Sequence, residues 1–264
     1  MTDHFSSADI QAFSGGSCAG WQIEVVAEPD STNTRLKERA KAGAPEKLLL
    51  AAERQTAGRG RLGRSFLSPE GGIYFSLLVR PNIPLEGCTD LTVAAAVCTA
   101  RAVEKLCGLR LDIKWVNDLY VNGKKLCGIL TEGAALPNGM TDYAVVGIGL
   151  NLQKPDCGDD RELAALVTGL EEQGCTVSRP HLIAAILAEF DRYYADMEEN
   201  HPQVVEEYRR RMFLTGKEVT LSTDPQKRPH TVVGVDDRAG LMVRTPQGEV
   251  ISLHSGEVSV RRLG

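Results

Sequence analysis

Long apolar runs are missing from this chain of 264 residues. No window approaches the about eighteen apolar residues that a membrane-spanning helix needs. A basic excess is missing too: the formal net charge of −5 argues against a protein whose main work is gripping the phosphates of long nucleic acid. Aromatic residues make up only 5%, which leaves little for a base-stacking platform. The seven cysteines (Cys18, Cys88, Cys98, Cys107, Cys127, Cys157 and Cys175) contain no C-x-x-C pair, and the five histidines are scattered. No cluster has zinc-site spacing, so no structural metal is expected. Cys98, Cys107 and Cys127 lie in apolar surroundings, as reduced buried thiols do, and a cytoplasmic location is expected. The N-terminal stretch has neither a positive region nor an apolar core, so no signal peptide is expected.

What is present reads as an ordinary globular α/β protein of 42% hydrophobic and 25% charged residues, without internal repeats or low-complexity segments. Residues 1–20 are polar and glycine-rich and read as a flexible lead-in. Residues 21–213 read as one mixed α/β domain. It contains apolar strands at 22–28, 47–54, near 73–81 and 143–152, and a buried helix after the potential caps Thr89 and Asp90. A tight turn falls at Asn122-Gly123 and helical character runs over about 159–212. Residues 214–264 change character. Five short runs with near-period-two alternation suggest a small closed or nearly closed β barrel.

One stretch is unusual. Gln55 to Gly72, "QTAGRGRLGRSFLSPEGG", carries three arginines and five glycines in an acidic protein. Gly58, Gly60 and Gly63 have the spacing of a dinucleotide-binding turn, and an apolar strand precedes them as that motif requires. About ten residues broken by Pro69, Gly71 and Gly72 then follow, too few for a crossover helix, so NAD is rejected. The glycines still allow close backbone approach. Arg59, Arg61 and Arg64 supply guanidinium groups that match carboxylate and phosphate oxygens. The loop therefore suits a multiply charged anion rather than a neutral ligand. A second stretch, "KWVNDLYVNGKKLCGILTE", places Lys114, Asn117, Asp118, Lys124 and Lys125 among strand formers. Because Asn122-Gly123 already supplies a turn, Asn117-Asp118 is not needed for one.

Taken together, "STN" (31–33), "QTAGRGRLGR" (55–64), "KWVNDLY" (114–120), "KLCGIL" (125–130) and "GIGLN" (147–151) resemble the biotin–protein ligase family in order and approximate spacing. Val116 stands where that family has proline, and Leu62 where many relatives have arginine. The resemblance implies a class II aminoacyl-tRNA-synthetase-like catalytic domain on a mixed sheet, followed by an SH3-like barrel. It implies ATP-dependent conversion of biotin to biotinyl-5′-AMP, with Mg²⁺ accompanying ATP, then transfer to one lysine of a biotin carboxyl carrier protein. By matching position, Ser31, Thr32, Asn33, Gln55, Arg59, Gly60, Arg61 and Lys125 would contact biotin. Gly58, Arg61, Arg64, Asn117, Asp118, Lys125 and Asn151 would sit on the nucleotide side, with Lys125, Arg61 and Arg59 neutralising charge in catalysis. A lead-in of about twenty residues is too short for the DNA-binding domain of repressor-type members, so no DNA binding is expected. Monomer and homodimer both stay open. The rivals are a lipoate–protein ligase with the same chemistry and a non-enzymatic RNA-binding module.

Overall fold

The computed structural model describes residues 4–254 and 258–260. The chain runs α1 (Ser7–Ser14), β1 (Gln22–Val26), α2 (Thr32–Lys41), β2 (Leu48–Ala52), β3 (Ile73–Val79), α3 (Cys88–Cys107), β4 (Asp112–Lys114), β5 (Asp118–Val121), β6 (Lys124–Ala135) and β7 (Thr141–Leu150). Helices α4 (Arg161–Leu166), α5 (Arg179–Ala195) and α6 (Met197–Arg211) follow. The described chain closes with β8 (Glu218–Leu221), β9 (His230–Val235), β10 (Leu241–Arg244), β11 (Val250–Leu253) and β12 (Val258–Val260). The first seven strands form one mixed sheet in the order β1-β2-β3-β7-β6-β5-β4. Only β1 and β2 are parallel, because helix α2 makes the crossover between them; every other neighbour is antiparallel.

Period-two alternation explains why β2 and β3 read as unbroken apolar runs. Leu48, Leu50 and Leu78 face α2, where Leu36 and Ala40 complete one small core. Leu49, Ala51, Phe75 and Leu77 face the other way into the main core with α3 and α5. A strand covered on both faces has no polar side to show. Helix α3 is apolar around most of its circumference for the same reason, since the sheet, α5 and α6 all pack on it.

Several expectations change. The helix begins at Cys88 after Gly87, so Thr89 and Asp90 lie in its first turn rather than capping it. Within the lead-in, Ser6 and Asp9 form a reciprocal capping box for α1, and the fully buried Ile10 is part of the main core. Ile10 and Phe13 are the only large apolar residues of that helix, too few to give a period that reveals it in sequence. Cys107 is not a reduced thiol: it is disulfide-bonded to Cys175, which lies 68 positions away in sequence but 5.4 Å away between Cα atoms. The other five cysteines are free. The stretch over 159–212 breaks into three helices, with a 3-10 turn at Glu171–Gln173. Asn122-Gly123 does turn the chain with both residues at positive φ. A second turn at Trp115–Asn117 joins β4 to β5, so Asn117 is a turn residue after all, and its Trp115–Val116 peptide is cis.

All five C-terminal runs become strands, paired in the order β11-β10-β9-β8-β12. Among the described residues this antiparallel sheet is open. Trp115 Nε1 donates to the Ala239 carbonyl at 2.9 Å, and Tyr208 Oη of α6 donates to the Val116 carbonyl at 3.1 Å. Two long-range hydrogen bonds thus brace the β4–β5 turn.

Candidate active site

The first turn of α2 supplies the floor of a cavity over β3, β7 and β6. Ser31 is the N-cap residue, yet its side chain makes no capping hydrogen bond; it lines the cavity while almost fully buried. Thr32 and Asn33 are bound into the sheet. Ser76 Oγ donates to Asn33 Oδ1 at 2.6 Å, the Thr32 and Ser76 hydroxyls are 2.7 Å apart, and Asn33 Nδ2 donates to the Leu130 carbonyl and to Glu132 at 3.1 Å. Gly147 makes this possible. It lies between Ser76 and Leu130 in the sheet, and a Cβ there would come within 2.1 Å of Asn33 Oδ1. Two residues further on, a Cβ at Gly149 would come within 2.6 Å of the Phe66 ring, which also covers Gly128 on the paired strand. Glycines inside a strand mark close approach here.

The glycine–arginine loop is a miniature hairpin. Gly60 N–H donates to the Arg64 carbonyl at 2.7 Å and Phe66 N–H to the Gly58 carbonyl at 2.9 Å, around a 3-10 turn at Arg61–Gly63. It then enters β3 antiparallel to β2 with no α-helix between, whereas a dinucleotide-binding turn would need a crossover helix there. Gln55 anchors the loop at both ends: its Oε1 accepts from Thr32 N–H at 2.8 Å, and its Nε2 donates to Ser68 Oγ at 2.9 Å. Arg59 Nη2 donates to Glu132 at 3.0 Å, and Arg61 Nη1 reaches Asn117 Oδ1 at 3.4 Å.

Lys125 faces the cavity because of a break in register. Leu119 pairs with Cys127 but Tyr120 with Lys125, so Leu126 is an extra residue on β6. Without that bulge Lys125 and Cys127 would share a face. With it, Lys125 joins Gly128 on the cavity wall, and its Nζ stands 2.8 Å from Asp118 Oδ1. Cys127 is turned into the core, where burial pushes its thiol far above the ordinary cysteine range, so it offers no nucleophile.

Of the residues singled out in sequence, Ser31, Thr32, Asn33, Gln55, Arg59, Gly60, Arg61, Arg64, Asn117, Asp118 and Lys125 meet around this one cavity. Gly58 and Asn151 do not line it. Gly58 packs against the Phe66 carbonyl and Ser68. Asn151 is buried and donates to the Thr168 carbonyl at 3.0 Å, while Thr168 N–H donates to the Lys125 carbonyl. Sequence reasoning missed Glu132, which gathers Lys37 (2.7 Å), Asn33 and Arg59. It also missed Ser76 and Phe66. The one sequence signal was the pair of glycines in "GIGLN", unusual inside an apolar strand.

Burial opposes ionisation of Glu132, but hydrogen bonds from Lys37 and Asn33, with the charges of Lys37 and Arg59, hold its carboxyl below the ordinary value of 4.5. A depressed value means that its stabilisation is full above the ordinary glutamate range and is lost as pH falls through the folded-state value. Glu132→Gln is therefore expected to lower the urea midpoint at neutral pH, with the gap to wild type closing below about 4.5. A gap that stays constant on acidification would remove Glu132 from this role. Among the described residues, no three His, Cys, Asp or Glu side chains are grouped to hold a metal ion.

Residues 25–151 match the model of the biotin/lipoate A/B protein ligase family. The chain is 34% identical over 240 residues to a bifunctional ligase/repressor of Bacillus spizizenii, covering 87% of this chain and 71% of that one. It is 30% identical over 254 residues to a biotin–[acetyl-CoA-carboxylase] ligase of Mycobacterium tuberculosis, covering 92% and 91%. The structure of biotin protein ligase from Aquifex aeolicus in complex with biotin and ATP matches with a TM-score of 0.76 and 30% identity, over 91% of this chain and 99% of that one.

Proposed function

The chain belongs to the biotin/lipoate A/B protein ligase family, and from that membership we infer that it is an ATP-dependent biotin–protein ligase. It activates biotin to biotinyl-5′-AMP and transfers the biotinyl group to a lysine of a carrier domain. The observation that carries this reading is the meeting, in one cavity, of small polar α2 residues, the arginine loop and the Lys125–Asp118 pair.

Biotin's ureido ring presents a carbonyl and two N–H groups that need partners once buried. Ser31, with its hydroxyl unspent on capping, and the Thr32–Asn33–Ser76 network supply donors and acceptors there. The valeryl carboxylate then points toward the arginine loop. Its attack on the α-phosphate of ATP brings two anions together, so the barrier is electrostatic. Arg59, Arg61 and Lys125 are assigned to neutralising that charge. The bond formed is carboxylate oxygen to phosphorus, and pyrophosphate leaves. Phe66 and the hairpin cover the resulting anhydride from water. In the second step the carrier lysine amine attacks the biotinyl carbonyl and AMP departs. Mg²⁺ would enter with ATP as part of the substrate and would add positive charge at the phosphates, with Asp118 and Asn117 of the cavity wall able to offer it oxygen atoms.

The finer architecture belongs to the same reading. The C-terminal meander, with β12 returning beside β8, is read as an SH3-like barrel, and the larger sheet as a class II synthetase-like catalytic domain. The acceptor is assigned to the carrier protein of a biotin-dependent carboxylase. The test is mass spectrometry of such a carrier domain incubated with the protein, ATP, Mg²⁺ and either biotin or lipoate. A single biotinyl addition that needs ATP is expected. Equal labelling by lipoate, or none by biotin, would overturn the reading.

A further inference from the structure

A second cavity, of about 560 Å³, lies on the other side of the loop base and shares no lining residue with the first. Glu53, Glu70 and Gly71, which flank the arginine loop, form one side, and Thr176 to Arg179 at the start of α5 form the other. We propose that this cavity binds a small zwitterion of the α-amino-acid class, with its carboxylate at Arg179 and its ammonium at Glu53 and Glu171.

Arg179 is the reason to expect a ligand. It is only 6% exposed, yet among the described residues its guanidinium has no hydrogen bond and no carboxylate within ion-pair distance. Its guanidinium stands over the face of the Phe5 ring, 4.7 Å from the centroid. A guanidinium on so enclosed a residue without an anion is costly, because the ring replaces only part of its lost hydration. The start of α5 adds to the demand. Ser178 makes no side-chain cap and Pro180 carries no N–H, so the positive end of a 17-residue helix opens toward the cavity.

The opposite wall has the other sign. Glu53 lies 2.7 Å from His4 Nδ1, and Glu171 accepts from the Gln153 amide at 3.3 Å. Glu70 is 3.6 Å from Arg54. A simple anion that satisfied Arg179 would face three carboxylates, and a simple cation would leave Arg179 unpaired. A molecule carrying both charges a few bonds apart satisfies both walls, and Leu152 and Val177 provide apolar contact for its side chain.

Calorimetric titration of the full chain with each standard amino acid, and with acetate and methylammonium as single-charge controls, tests this. At least one amino acid is expected to bind tenfold or more tightly than either control. Arg179→Gln and Glu53→Gln should each weaken that binding at least tenfold while leaving biotin affinity unchanged. Should Arg179→Gln fail to fold, Glu53→Gln and the wild-type comparison decide alone. No amino acid exceeding acetate, or undiminished binding by Glu53→Gln, overturns the proposal.

Discussion

Replacing Lys125 by alanine is expected to lower biotin-dependent pyrophosphate release by a factor on the order of 10² to 10³. That is the usual loss when one preorganised charge stabiliser is removed from a transition state. The geometry makes Lys125 hard to replace. It projects into the cavity only because of the Leu126 bulge, and it is the cation paired with Asp118 at 2.8 Å. Its loss leaves the Asp118 carboxylate, whose side chain is 19% exposed, facing the site of the incoming phosphates. That adds repulsion to the missing attraction. Biotin affinity should fall much less than turnover, since much of the ring's surroundings lies at Ser31, Thr32 and Asn33. A thermal unfolding curve close to wild type separates catalysis from folding. Pyrophosphate release within threefold of wild type would take Lys125 out of the reaction.

Gly147→Ala should produce the second large loss, this time in biotin binding. The added Cβ would sit 2.1 Å from Asn33 Oδ1 and 2.8 Å from its Cγ, against a side chain fixed by three neighbours. Asn33 must leave, which breaks its bonds to Ser76 and to the Leu130 carbonyl and frees the Glu132 carboxylate from one donor. Each buried polar group left without a partner costs about 1–3 kcal/mol, so biotin affinity should drop at least tenfold and the urea midpoint should fall. Adding Asn33→Ala to Gly147→Ala relieves the clash. The double variant should regain stability without regaining affinity. Wild-type affinity in the single variant would show that Asn33 takes no part in binding.

What the sequence revealed and what it hid divide along physical lines. Residue types with a fixed chemistry were legible: the STN turn, the arginines, Lys125 and the strands whose alternation or apolar length announces them. The glycine spacing was also correctly set aside, because a crossover helix cannot fit between Gly63 and β3. Register was not legible. Glu132 looks like a charge near a strand end, and becomes a hub only because β6 pairing carries it to Asn33, 99 positions earlier in the chain. The Leu126 bulge, which decides where Lys125 points, leaves no mark in residue type. The same holds for Cys107 and Cys175, whose meeting depends on where α3 ends against the segment before α5. The turn at Asn117 is hidden in sequence because Asn122-Gly123, five residues later, is by itself a sufficient turn signal.

The indole of Trp115 bound to the Ala239 carbonyl has a mechanical meaning. Ala239 sits in the tight 236–240 turn of the second sheet, and Trp115 sits in the turn that presents Asn117 and Asp118. The smaller sheet is thereby hydrogen-bonded to the turn whose backbone positions Asp118, the partner of Lys125. Any displacement of the 236–240 turn would therefore bear on the turn that carries the larger sheet's Lys125–Asp118 pair.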